Sequence, residues 1–139
     1  MTPADAARLQ DVYRREGVSL LRYARFAAPY AAGADRKRRD DLFRAAEEAA
    51  ASLEALGAVL EAARVPLPST GPFPVVFTDL NCVAVRYLQK KVCADRAAAA
   101  TALEADQTAL VDPAARAAVQ PLLDLARRHR DALAAASHP

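Results

Sequence analysis

Tryptophan is absent from this chain of 139 residues, and it has one methionine, four glycines, two histidines and two cysteines. With four phenylalanines and four tyrosines, aromatic residues make up 6% of the chain. The hydrophobic fraction of 53% is therefore carried largely by alanine and leucine. Alanine favours helix and lets helices approach closely, but it contributes little buried area. Long runs of β-branched residues are missing as well, which excludes a sheet protein and points to an all-α chain. The net charge of +2 comes from interspersed cations and anions. It selects neither nucleic acid nor an anionic membrane as partner.

Other absences narrow the chemistry. No glycine-rich phosphate loop and no Cys-x-x-Cys pair occurs. Ser19 and Ser52 have no His or Asp at usable spacing, so a serine nucleophile is unsupported. No apolar stretch approaches the roughly 20 residues that span a bilayer. No basic and apolar leader follows Met1, so a cytoplasmic location is expected. Cys82 and Cys93, read as sharing one helix, would stand about 16 Å apart at 1.5 Å per residue. That is too far for a disulfide, and reduced thiols are expected.

Four helices are expected, at about residues 3–32, 40–65, 78–110 and 113–136. Thr2-Pro3-Ala4-Asp5 is a strong start, with a hydroxyl cap, proline at the first helical position and an acid in the first turn. Gly17 is a weak point in the first helix, and Pro29 is a kink or the beginning of its end. Arg36-Lys37-Arg38-Arg39 is followed at once by Asp40 and Asp41 and has no interleaved aromatics, so it is not read as a nucleic-acid patch. The second helix carries Leu42, Ala46, Ala49, Leu53, Leu56, Leu60 and Ala63 in a bundle seam and ends before Pro66 and Pro68. Residues 66–77 form the longest irregular segment, a crossover whose aromatics pack on the bundle. Thr78 is expected to cap the third helix, whose stripe is Val85, Leu88, Val92, Ala99, Leu103 and Leu110, with Asp95 near its edge. Val119, Leu122, Leu123, Ala126 and Leu133 face inward from the last helix, which Pro121 should kink or break. Two short connections and one longer central one describe a four-helix bundle with a crossover.

One residue violates the pattern. Leu9, Val12, Tyr13, Glu16, Leu20, Tyr23, Ala27 and Tyr30 share one face of the first helix, and Glu16 is near its middle. A carboxylate there leaves water and needs a cation, a metal or a proton. Lys91 is the first candidate partner, and Arg130 lies close to the last helix's stripe. His129 falls on the flank of that stripe and reads as a solvated or capping histidine, while His138, at the terminus, is expected to be mobile. Tyr13, Tyr23, Tyr30 and Tyr87 read as core aromatics with a polar tip.

The central crossover is similar to that of the ferritin-like family, whose members place a Glu on one helix of each pair and a Glu-x-x-His on the other. Glu-Gly-Val-Ser-Leu-Leu-Arg-Tyr at residues 16–23 resembles the first helix of bacterioferritins, where the ligand Glu precedes a Tyr by seven residues. Residues 123–133 resemble the last-helix segment carrying the second Glu-x-x-His; here the Glu position is Ala126, and His129 remains. Counting back from Pro66 puts the second-helix motif on Glu48 and Ala51, whereas periodicity turns Ala49 and Ser52 inward and leaves Glu47 and Glu48 on the flank. The third-helix acid is Asp95, or the position is lost to Lys91 under a shifted alignment.

The resemblance thus implies a partial ligand set of Glu16, Glu48, Asp95 and His129. The leading expectation is a non-catalytic bundle, structural or partner-binding, in which an ion pair replaces the metal and no cofactor is needed. Self-association through Leu21, Phe26 and Phe43 goes with it. The alternative is a metalloprotein that binds or oxidises iron through the reduced set, as a ferroxidase-like oxidoreductase.

Overall fold

Helix α1, Pro3–Gly17, stops halfway along the first expected helix. In the computed structural model, which describes residues 1–137, Val18 leaves the helical path and the Ser19 side chain accepts the Arg22 N–H, starting a one-turn helix α2, Leu20–Tyr23. The single helix expected over residues 3–32 is therefore replaced by two. Gly17, the last residue of α1, leaves no room for a side chain: a Cβ there would lie 2.4 Å from Thr70 Cγ2. The crossover thus packs directly on the α1 backbone.

Beyond α2 the chain turns into an extended stretch that pairs with the segment leading into the third long helix. Cys82 N–H donates to Ala27 O at 2.7 Å, Tyr30 N–H to Val83 O at 2.8 Å, and Val85 N–H to Tyr30 O at 2.8 Å. These bonds hold residues 81–84 out of helical geometry, and Cys82 adopts φ 59°. Helix α4, Val85–Ala109, accordingly begins seven residues after the expected Thr78 start. Thr78 instead lies in a 3-10 helix, Val75–Leu80, and donates to Val75 O. Cys82 stands outside α4, exposed, and both thiols are free. Tyr30 lies on the extended stretch and Tyr87 on the outer face of α4; both expected core rings are exposed.

Helix α3, Asp35–Ala62, starts five residues earlier than its periodicity suggests and takes in Arg36–Arg39 without a side-chain cap. Arg64 in the left-handed region closes it, with Val65 N–H donating to Leu60 O. Helix α5, Pro113–Ala136, follows the Asp112 cap as expected and runs unbroken through Pro121. Pro121 and Ala117, whose carbonyl loses its donor, both face solvent, where water can satisfy that oxygen. His138 lies outside the described residues. Among them the fold is all-helical, with no strand and no helix long and apolar enough to cross a membrane.

The core is split. One apolar cluster joins Leu9, Val12, Leu53, Leu56, Leu103, Leu122 and Leu123; the other joins Leu20, Leu21, Leu42, Val85, Leu88, Val92 and Leu133. The crossover covers the second cluster with aromatics, as expected: Tyr23 meets Phe73 at 5.3 Å and Phe77 at 5.5 Å between ring centres, and its hydroxyl donates to Asn81 at 2.6 Å. Leu21, expected on an association surface, is wholly buried in that cluster; Phe43 is half-buried beneath Arg25; Phe26 is 71% exposed.

The Gly17 contact predicts that Gly17→Ala destabilises. Overpacking of this kind costs about 1–3 kcal/mol, against a helix-propensity gain of at most about 1 kcal/mol. A urea-denaturation cycle with Thr70→Ala should recover part of the loss, because that change removes the methyl that the new Cβ meets.

Candidate functional site

Between the two apolar clusters lies a polar layer to which α1, α3, α4 and α5 all contribute. Its centre is Arg96, 4% exposed on α4. The guanidinium donates through Nη2 to Glu16 Oε2 at 3.1 Å and through Nε to Asp95 Oδ2 at 2.9 Å. Burial disfavours the charged guanidinium, but the two carboxylates outweigh it and raise its pKa above the ordinary value. Arg96 is thus a fixed cation. Asp95 Oδ1 also accepts the Leu20 N–H at the start of α2, at 3.4 Å.

Glu16 therefore faces a cation, as its place on the stripe demands. The partner is Arg96 and neither Lys91 nor Arg130. Lys91 is exposed, with its ammonium 5.4 Å from the Tyr87 ring centre. Arg130 pairs with Asp131 at 2.9 Å. Arg96 fills a visible gap, because the expected stripe jumps seven residues from Val92 to Ala99 and position 96 is the helical step between them. The missing signal was there. A long charged side chain is assigned outward by default, and that hid it.

His129 also lies elsewhere than expected. It is 5% exposed, not a solvated or capping residue, because one helical turn separates it from both Ala126 and Leu133 on the buried face of α5. Its Nε2 lies 3.3 Å from Glu48 Oε1, and Arg128 holds the other Glu48 oxygen at 2.7 Å. Glu48 thus stands on the flank of α3, as its periodicity implies, and still reaches His129. Burial is the main influence on the imidazole and lowers its pKa; the Glu48 hydrogen bond and charge oppose that, while Arg96 and Arg128 reinforce it. A carboxylate oxygen can only accept, so Nε2 carries the proton and Nδ1 a lone pair.

A small cavity separates the two pairs. It is lined by Glu16, Ser52, Arg96 and His129 together with Ala49 and Ala126, and is open to a water-sized sphere over about 20 Å³. The inward Ala49 and Ser52 of the α3 seam form its wall. Glu16 Oε1 and His129 Nδ1 are buried without a protein hydrogen-bond partner.

Glu16 and Asp95 thus meet around Arg96, Glu48 and His129 meet each other, and Glu16 and His129 face one cavity. Among the described residues no three His, Cys, Asp or Glu side chains gather to hold a metal ion. This arrangement does not fit a carboxylate-bridged di-iron centre: a guanidinium holds the carboxylates that would bridge two cations, and Ala126 supplies no ligand. A second ion network, built on one buried acid, does not stand out in the sequence. Asp106, on α4 two helical turns beyond Ala99, receives Arg8 at 3.1 Å and Arg15 at 2.7 Å from α1.

No family model, curated protein or solved structure matches this chain.

Arg96→Met leaves Glu16 buried without its cation, and removing one partner of such a pair costs about 3–5 kcal/mol. Adding Glu16→Leu should recover most of that loss in urea denaturation. His129 should titrate by NMR below its ordinary 6.5. A lowered folded pKa means that the unfolded chain takes up the proton first. His129 therefore contributes stability above pH 6.5 that is lost as pH falls from there through the folded value. His129→Gln should flatten that part of the stability profile.

Proposed function

We propose that the chain is a ferritin-like four-helix bundle that has exchanged metal chemistry for an internal ion pair and works as a non-catalytic structural or partner-binding module. The observation that carries this reading is the guanidinium of Arg96 between Glu16 and Asp95. It supplies within the chain the positive charge that a bound cation would bring. α1, α3, α4 and α5 are the four helices of the bundle, with α2 and the 3-10 helix as elaborations of its connections. The free thiols are in keeping with a cytoplasmic protein.

The surface supports association in preference to turnover. Phe26, Val75 and Val76 are 71%, 82% and 64% exposed, and Phe26 lies 5.8 Å from Phe73 of the crossover between ring centres. Burial of rings and branched side chains is the main driving force of protein association. Self-association through this face, with Phe26 retained from the expected set, is the form the module takes. Neither nucleic acid nor a membrane is required as partner.

The test is elemental analysis of protein purified without chelators, with thermal melts in the presence and absence of anaerobic Fe(II). Sub-stoichiometric metal and an unmoved melt are expected. About one or two ions per chain, with a rise in Tm that Glu16→Ala abolishes, would replace the proposal with the iron-binding, ferroxidase-like reading, because a ligand selective for the folded state stabilises it by mass action.

A further inference from the structure

Two buried atoms set the terms of the polar layer's cavity. Glu16 Oε1 is a carboxylate oxygen on α1 and accepts hydrogen bonds only. His129 Nδ1 on α5 is also an acceptor, since the ring proton sits on Nε2 toward Glu48. Two acceptors cannot bond to each other. Left without donors, each carries the full cost of its lost hydration.

The cavity that both side chains line offers about 20 Å³ to a water-sized sphere. A single water needs on the order of 10–15 Å³ by the same measure, together with two to four polar partners. The Arg96 guanidinium already supplies the counter-charge of Glu16, so what the free oxygen lacks is a hydrogen-bond donor. The site calls for a small neutral molecule with two hydrogens to give.

We propose that the cavity is a specific binding site for one water molecule, which donates one hydrogen bond to Glu16 Oε1 and the other to His129 Nδ1. Ser52 also lines the cavity from α3, and its hydroxyl completes the site by donating to the water oxygen. The water then joins the Glu16–Arg96 pair to the His129–Glu48 pair. One hydrogen-bonded network runs through α1, α3, α4 and α5.

Two measurements on the full chain test this. A high-resolution crystal structure should place one density peak within hydrogen-bond distance of both Glu16 Oε1 and His129 Nδ1. In solution, oxygen-17 magnetic relaxation dispersion should detect a water that outlives the tumbling of the protein. Its signal should fall by one water per chain in Ala126→Val, which fills the cavity from α5, with the helical circular-dichroism spectrum retained. Should that variant not fold, Ser52→Val removes the hydroxyl donor from the opposite wall and should give the same loss. A crystal structure with no peak between the two atoms overturns the proposal. So does a long-lived signal that is absent from the parent chain or undiminished in the folded cavity-filling variant.

Discussion

Everything in this fold has to accommodate one guanidinium in the middle of an apolar helical core. A charge taken out of water at Arg96 is tolerable only when carboxylates meet it with good geometry, and Glu16 and Asp95 do so from α1 and from its own helix. The apolar residues then collect on either side of the charged layer, giving two clusters with the ion pairs between them. His129 and Glu48 extend the layer across to α5 and α3.

The irregular parts of the chain serve the same layer. The interruption at Val18 and Ser19 turns the N-terminus of α2 toward Asp95, which accepts the Leu20 N–H. Asp95 is thereby bound to both a side chain and a helix end. A second anchor lies at the far end of α1, where Asp5 accepts the N–H groups of Val111 and Asp112 from the α4–α5 turn. These backbone bonds, chiefly that from Asp112, hold the Asp5 carboxyl below its usual pKa, and the nearby cations assist. The first anchor fastens α2 to α4, and the second fastens α1 to the α4–α5 turn.

Most of the helical architecture is legible in the sequence because alanine and leucine spacing is a local property. The inward stripes of α4 and α5 match the buried residues, and Asp112-Pro113 marks the start of α5. The start of α4 is not legible from its own neighbourhood. Thr78-Asp79 is a sound local cap, but backbone bonds from Ala27 and Tyr30, some fifty residues earlier in the chain, hold the following segment extended. Gly17 announces a weak helix but not the loop methyl that presses on it. In the site, Glu16 stands out because an acid interrupts an apolar face. Arg96 does the same on α4, yet its length and charge make an outward orientation the natural assumption. His129 is hidden differently: its place one turn from Ala126 and Leu133 implies burial, but its partner Glu48 comes from another helix, where periodicity alone places it on the flank.

The division of the core has a consequence for alignment. Alanine-rich helix faces are nearly featureless, and leucine stripes repeat every turn, so one helix slid past another by a turn meets much the same surface. Arg96 removes that degeneracy. A shift of α4 by about 5.4 Å carries the guanidinium away from Glu16 and into the leucines of one cluster or the other. Glu16 and the Arg96 cation would then both be buried alone. The layer acts as a detent: it sets the vertical register of helices whose apolar faces, left to themselves, would accept several.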